Sequence, residues 1–154
     1  TTVKPDKYDS TVLYGLEAGK YRLALKTPKD QIINVEYTRD KSKKKAAYKK
    51  SKAIHLKSDI DSIYTSTEKA ARWYKASVSS TKKRKAVTLS KDSVGGGFKF
   101  CVYQKGKRLK TVKVTKNDKV KTVKLPKKKG TYYVKVTKLT SKTTGAYYLG
   151  TYTY

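Results

Sequence analysis

The sequence contains no methionine, one cysteine, one histidine and one tryptophan among its 154 residues. The single cysteine, Cys101, excludes a disulfide within the chain, and the single histidine, His55, excludes a zinc site built on several Cys and His side chains. No apolar run approaches the roughly 18 residues that a membrane helix needs, and no signal peptide is visible at Thr1. Because an initiator methionine is also missing, we expect the chain to be a processed or excised piece of something longer.

Acidic residues are scarce as well. The chain has 11 Asp and Glu against 39 Lys and Arg, a formal net charge of +28 at pH 7. Such a molecule concentrates polyanions, so nucleic acid, an anionic cell-wall polymer, an acidic polysaccharide and anionic lipid are all candidate partners on charge alone. Only five of the basic residues are arginines, which alone offer the planar, bidentate geometry that reads guanine or clamps phosphate. The composition therefore favours diffuse electrostatic attraction.

The residues that catalysis needs are sparse and poorly arranged. A hydrolytic enzyme requires a nucleophile with a base, paired carboxylates or a metal. His55 with Ser58 and Asp59 resembles a fragment of a triad, but a lone histidine in a lysine-rich strand is better explained as a solvated or packing residue. Cys101 lies between two apolar residues, which indicates a buried, inert thiol. The glycines at 95–97 lack the Lys-Ser/Thr and the helix of a phosphate loop. We predict no catalytic residues and no enzyme.

What the chain does contain is alternating apolar and polar residues, repeated between turn signals, with 14 tyrosines that suit the faces of a sheet. This spacing predicts an all-β fold, an antiparallel sandwich or barrel, and roughly eight strands in about 100 residues match a two-sheet β-sandwich. Gly106 predicts a tight hairpin turn, and the glycines at 95–97 a flexible connection or bulge. The predicted strands centre on residues 53–56, 74–78, 87–89, 98–102, 112–114, 123–125, 132–136 and 147–149. The residues predicted to face inward include Tyr74, Ala76, Val78, Tyr132, Val134, Val136, Tyr147 and Leu149.

An internal echo indicates how the chain is divided. LEAGKYRLALKT (16–27) and LPKKKGTYYVKVTKL (125–139) share a leucine, a turn, Gly-x-Tyr and alternating apolar residues, at an offset of about 110 residues, which is a domain length. We predict an N-terminal β-hairpin in residues 1–40, which either closes an upstream repeat or adds to the sandwich, and a complete sandwich in residues 44–154. The alternative is a chance similarity between two tyrosine-rich hairpins. The lysine-dense segment 40–52 is predicted to be a linker, with a short helical turn around Ala46.

Three stretches resemble a known family. ARWYKASVSSTKKRKAVTLS, GGGFKFCVYQKGKRL and LPKKKGTYYVKVTKLTSKTTGAYYL are similar to the bacterial pre-peptidase C-terminal domain family, which is related to the collagen-binding domains of clostridial collagenases. The shared signatures are Trp73-Tyr74-Lys75, the Tyr-x-x-Gly hairpin from Tyr103 to Gly106, and two strands that begin Gly-x-Tyr, at Gly130 and Gly145. The resemblance covers roughly residues 44–154.

The resemblance implies a jelly-roll-like sandwich with a non-catalytic accessory role, secreted or on the cell surface of a Gram-positive bacterium. Some members bind calcium through acidic residues near the start of the domain. In this chain Asp59, Asp61 and Glu68 are the acidic residues of that neighbourhood, and the surrounding lysines oppose a dication. No cofactor is therefore predicted.

Lysines and tyrosines that point outward from the sheets are the candidates for binding, because such a face combines cations with stacking rings. The leading hypothesis is adhesion or substrate targeting to an anionic wall polymer, a glycan or a matrix protein, beside neighbouring domains of a larger parent chain and without membrane insertion. The alternatives are a structural spacer or folding module of a surface protein and, third, a nucleic-acid-binding protein, for which only nonspecific contact is expected. The candidates on the sheet faces are Lys99, Tyr103, Lys113, Tyr133, Lys135 and Tyr148. The basic cluster of Lys127, Lys128 and Lys129 is a further candidate, and the alternative for such clusters is a solvated rim of turns and linkers.

Overall fold

Nine strands and one short helical turn make up the computed structural model, which describes residues 19–22, 24, 46–57, 60–64, 68 and 70–154. The helical turn is a 3-10 helix at Lys50–Lys52, a few residues beyond the turn predicted around Ala46. The strands are β1 (Ile54–His55), β2 (Ile60–Tyr64), β3 (Arg72–Val78), β4 (Lys85–Gly95), β5 (Phe98–Gln104), β6 (Lys107–Val114), β7 (Val120–Lys124), β8 (Gly130–Lys138) and β9 (Thr144–Thr153).

The strands form two sheets. The first has five strands in the order β1-β3-β8-β5-β6, and the second has four in the order β2-β9-β4-β7. Every pair is antiparallel except β1 with β3, which is parallel. The predicted all-β antiparallel sandwich is confirmed, and β2 is a strand that the sequence analysis did not identify.

The core lies between the sheets and follows from the alternation of the sequence. Along β3, Arg72, Tyr74, Ala76 and Val78 are buried and the residues between them are not. Strand β8 contributes Tyr132, Val134 and Val136 in the same way, and β9 contributes Tyr147 and Leu149, so the inward residues predicted for these strands are confirmed. Two tyrosines tie the sheets together, because the hydroxyls of Tyr74 and Tyr147 are 2.5 Å apart in a hydrogen bond inside the core.

Glycine shapes two of the connections. The β5–β6 hairpin turns through Lys105 and Gly106, both with positive φ (47° and 80°), which matches the tight turn predicted there. Before β5, Gly97 lies so close to the backbone of β6 that a Cβ added to it would overlap the carbonyl oxygen of Val114. Its N–H donates to the buried Oγ1 of Thr143 at 3.2 Å, and its carbonyl accepts from Leu139 at 2.9 Å. This glycine therefore anchors the loop between β8 and β9.

The loop between β6 and β7 is held by one carboxylate. Asp118 Oδ2 accepts hydrogen bonds from the backbone N–H of Thr115 at 2.9 Å and from its hydroxyl at 2.6 Å. Its other oxygen lies 2.7 Å from the ammonium of Lys121. The hydrogen bonds from Lys121 and Thr115 hold the pKa of Asp118 well below its usual range.

The predicted N-terminal hairpin falls almost entirely outside the described residues. Of it the structure describes residues 19–22 and 24, which are exposed and belong to no strand. The boundary near residues 40–44 also lies outside the described part of the chain, so the division into 1–40 and 44–154 stays a prediction.

Candidate functional site

The outer face of the five-stranded sheet carries the residues that alternate with the core. On β3 these are Trp73, Lys75 and Ser77, which are half-buried between buried neighbours. The strand register places them in rows across the sheet. One row contains Lys75 of β3, Tyr133 of β8, Tyr103 of β5 and Arg108 of β6. The next contains Trp73, Lys135, Cys101 and Thr111, and the third contains Thr137, Lys99 and Lys113.

Three rings form the centre of this face, and we call Trp73, Tyr103 and Tyr133 the aromatic cluster. The ring centroids of Trp73 and Tyr103 are 5.6 Å apart with planes inclined at 44°. Their strands are not neighbours, since β8 lies between them, so the two rings meet over the top of β8. Tyr133 of β8 is the direct cross-strand partner of Tyr103. The cluster therefore spans three strands.

Cations lie against these rings. The ammonium of Lys135 is 5.6 Å from the Trp73 ring centroid, and that of Lys50 is 4.7 Å from the Tyr133 centroid. Lys50 arrives from the 3-10 helix, whose position beside β3 is supported by a 2.8 Å hydrogen bond from the Trp73 N–H to the carbonyl of Ala47. Both distances are within the range of an attractive cation–π contact. The basic side chains on or over this face, which we call the outer-face cations, are Lys50, Lys75, Lys99, Arg108, Lys113 and Lys135.

Tyr103 is half-buried and Cys101 is buried within this face. Burial raises the pKa of the Tyr103 phenol, and its interaction with Cys101 adds to this, while Arg108 acts in the opposite direction. Tyr103 therefore keeps its proton at neutral pH and presents a hydroxyl. Cys101 is buried, as predicted, and its sulfur lies 3.3 Å from the hydroxyl of Thr111. This thiol packs within the sheet face.

The structure brings together five of the nine residues predicted for binding and separates four. Lys127, Lys128 and Lys129 lie exposed in the connection between β7 and β8. Tyr148 lies on β9 in the other sheet, where it is 43% exposed. The five that share the outer face of the five-stranded sheet are Lys99, Tyr103, Lys113, Tyr133 and Lys135.

Trp73, the largest ring of the cluster, is absent from the nine residues predicted for binding. Trp73 was assigned to a family signature, although the inward assignment of Tyr74, Ala76 and Val78 already implied that Trp73 points outward. Lys75 carried the same signal. No alternation pattern in the sequence marks Lys50, because its side chain reaches the face from the 3-10 helix outside the sheet.

Of the residues considered for catalysis, the structure describes His55 and Cys101. His55 is exposed on the edge strand β1, and its Nε2 lies 3.2 Å from the hydroxyl of Ser77. The proposed partners Ser58 and Asp59 lie outside the described residues.

An ion pair occupies the region where the resemblance implied calcium. The guanidinium of the buried Arg72 bonds both oxygens of Glu68, at 2.8 and 2.5 Å. Burial alone would lower the pKa of Arg72, but the Glu68 hydrogen bond and the nearby Tyr147 raise it above its ordinary value. Burial lowers the pKa of Lys138, and the charge of Glu68 partly offsets this. Glu68 is thus committed to a cation of the chain itself. Within the described ranges no three His, Cys, Asp or Glu side chains are grouped for metal binding.

Comparison with known proteins finds similarity among solved structures. No protein-family model and no curated protein matches the sequence. Among solved structures, the chain is similar to the pre-peptidase C-terminal domain of a collagenase from Bacillus anthracis, with a TM-score of 0.48 and 19% identity over 65% of this chain and 92% of that domain. The family named in the sequence-based prediction for residues 44–154 is the same pre-peptidase C-terminal domain family. In the described residues no helix is long and apolar enough to cross a membrane.

Proposed function

We propose that the chain is a non-catalytic accessory domain that attaches a larger secreted or cell-surface protein to an anionic polysaccharide, such as an acidic wall polymer or glycan. The observation that carries this proposal is the aromatic cluster with the outer-face cations around it. The ligand would lie across β3, β8 and β5, on the face opposite the core.

The two kinds of side chain supply complementary interactions. The flat, apolar face of a ring can cover the apolar face of a sugar, while its edge and hydroxyl remain near water. Ammonium groups attract carboxylates or phosphates without demanding one geometry, since lysine is a flexible point charge. Lys135 and Lys50 already lie over rings, so an anion on the ligand would meet a cation beside the ring on which its sugar stacks.

The composition favours a polyanion over a neutral glycan. A net charge of +28 raises the local concentration of any polyanion and accelerates its association at low salt. Charge alone does not select among polyanions, so selectivity for a polysaccharide would come from the rings. The aromatic cluster would thus provide selectivity, and the lysines outside it would provide general attraction for polyanions.

Trp73 allows the proposal to be tested directly, because it is the one tryptophan of the chain and lies in the cluster. We expect polygalacturonate, a soluble acidic polysaccharide, to change the Trp73 fluorescence on titration, and affinity to fall as salt is added. Dextran, a neutral polysaccharide, and polyphosphate, a polyanion without sugars, serve as controls. We expect weaker binding of both.

The outcomes distinguish the hypotheses. Equal affinity for polyphosphate and polygalacturonate would reduce the proposal to charge attraction. Tighter binding of single-stranded DNA, persisting above physiological salt, would favour a nucleic-acid-binding protein instead. Absence of binding to every polymer at low ionic strength would overturn the proposal and leave the structural spacer as the better hypothesis.

A further inference from the structure

A groove lies between strands β6 and β7, at the edge of the five-stranded sheet opposite to β1. These strands follow each other in the chain but belong to different sheets, and each is the edge strand of its sheet. The loop at Asp118 joins them at one end. Away from this loop the two strands form the walls of a groove of about 340 Å³. Its lining consists of Val102, Leu109, Lys110, Thr122, Val123, Lys124, Leu125 and Pro126.

Leu109 is the unusual residue of this groove. The β5–β6 register pairs Val102 with Lys110 and Tyr103 with Arg108, so Leu109 has no cross-strand partner and forms a bulge. A bulge redirects a side chain relative to the regular alternation. Here it leaves a leucine 42% exposed at a groove whose wall contains the buried Val123 and Leu125. The groove is thus apolar inside, with lysines at its rim.

The backbone of β6 adds a second feature. No described strand pairs with its outer edge, so N–H and C=O groups of an eight-residue strand remain available there. Four of those eight residues are basic (Lys107, Arg108, Lys110 and Lys113) and none is acidic. Two copies of β6 placed edge to edge would bring like charges together, which is destabilising. The charge therefore excludes a second copy as the natural occupant and favours an acidic strand.

The faces of β6 define the pattern of that strand. Lys110, Val112 and Val114 pair with the inward residues Val102, Phe100 and Phe98, whereas Arg108 and Lys113 pair with the outer-face residues Tyr103 and Lys99. A strand added beside β6 would place alternate side chains inward, over the groove, and the others outward, beside Arg108 and Lys113. Apolar residues fit the first set of positions and acidic residues the second.

We infer that β6 and the groove bind an extended polypeptide segment in which apolar and acidic residues alternate. The segment adds as a sixth strand to the sheet. One apolar side chain enters the groove beside Leu109, and the carboxylates meet the cations of β6. Backbone hydrogen bonds provide affinity and the groove provides specificity, as in other cases of strand addition. This surface shares Arg108 and Lys113 with the outer-face cations but contains none of the three rings of the aromatic cluster, so a change at Trp73 tests the two proposals separately.

The test uses the whole chain and a fluorescein-labelled ten-residue peptide of alternating Glu and Val. A scrambled peptide of the same composition retains the charge, and a peptide N-methylated at every second residue retains the side chains but loses the backbone donors of one edge. We expect both controls to bind at least tenfold more weakly than the alternating peptide. Equal binding of all three would overturn the inference and leave charge attraction alone.

Protein variants locate the site. Leu109→Asp should weaken peptide binding at least tenfold, because it places a carboxylate in the apolar groove. Val120→Asp is the matched control, since Val120 is an exposed apolar residue of β7, at 51% exposure, that does not line the groove. Circular dichroism checks that both variants fold. Trp73→Ala should leave peptide affinity within twofold of the original value. Equal loss in the two Asp variants, or loss of binding in Trp73→Ala, would overturn the inference.

Discussion

The ring of Trp73 on β3 contacts the ring of Tyr103 on β5 across the strand that separates them, with centroids 5.6 Å apart. Two residues on strands that do not pair thus form one apolar surface on the outside of the sheet. A single outward ring is common on sheets. The aromatic cluster spans three strands, so it offers a sugar a wider stacking surface than one ring does. This contact is the structural basis of the proposed polysaccharide site.

Removing the largest ring should weaken polysaccharide binding. We expect Trp73→Ala to lower affinity for polygalacturonate about tenfold, since stacking on an aromatic side chain is worth roughly 1–3 kcal/mol. Tyr148→Ala is the control, because Tyr148 is an exposed ring on the other sheet. Isothermal titration calorimetry measures both. If the two variants lost the same affinity, the aromatic cluster would not be the site.

For polysaccharide binding, the position of a lysine should matter more than its contribution to the net charge. Lys135→Glu reverses a charge that lies over the Trp73 ring, whereas Lys128→Glu makes the same change in the exposed loop between β7 and β8. Both variants lower the net charge by the same amount. We expect the first to lose several-fold more affinity at physiological salt, measured by retention on an acidic polysaccharide column. Identical elution of the two variants would indicate that only net charge acts.

The close approach at Gly97 predicts a loss of stability on substitution. Gly97→Ala would place a Cβ against the backbone oxygen of Val114, and we expect a cost of about 3 kcal/mol because backbone must move. Gly106→Ala tests the cost of a positive φ alone. The φ of Gly106 is +80°, and no atom lies within 4 Å of a Cβ added there. Its cost should be about 1 kcal/mol. Urea unfolding measures both, and a smaller loss at Gly97 than at Gly106 would contradict the packing argument.

The buried ion pair of Arg72 and Glu68 should behave as a unit. Arg72→Met leaves the Glu68 carboxylate without its guanidinium, and we expect a loss of about 3 kcal/mol in the free energy of unfolding. Glu68→Gln leaves the buried cation without its counter-charge and should cost a similar amount. The double variant should lose clearly less than the sum of the two. Additive losses in a double-mutant cycle would show that the pair is not coupled.

Acid should weaken the loop held by Asp118. The pKa of Asp118 is lowered in the folded protein, so its carboxylate stabilises the fold fully above the unfolded value of about 3.9. That contribution is lost progressively as the pH falls below this value toward the folded pKa. We therefore expect Asp118→Asn to be less stable than the original chain at pH 7, with a smaller difference at pH 2. A difference that grew on acidification would reverse the predicted sign.

The alternation of the sequence predicted the sandwich because each inward residue follows from its neighbours two positions away, as in Tyr74 and Ala76 of β3. It did not reveal β2, whose IDSIY sequence does not alternate. It also did not predict which strands lie side by side. The contact of Trp73 with Tyr103 depends on the insertion of β8 between β3 and β5, a pairing of distant segments. Charge density identified Lys127–Lys129 as a candidate, and these lysines lie between the predicted strands 123–125 and 132–136, in the connection between β7 and β8. Density of charge does not select a binding site, because a solvated turn has the same composition.

The strand order has a consequence for how the chain acquires its structure. The last two strands, β8 and β9, occupy interior positions in their sheets, each between two strands that precede it in the sequence. Until residues 130–153 have emerged from the ribosome, β3 and β5 have no shared partner, and neither do β2 and β4. Long-range pairing of this kind folds slowly and leaves strand edges exposed in the meantime. Nascent chains that stop before Gly130 should therefore stay unfolded, and assembly of the sandwich should follow synthesis of β8 and β9.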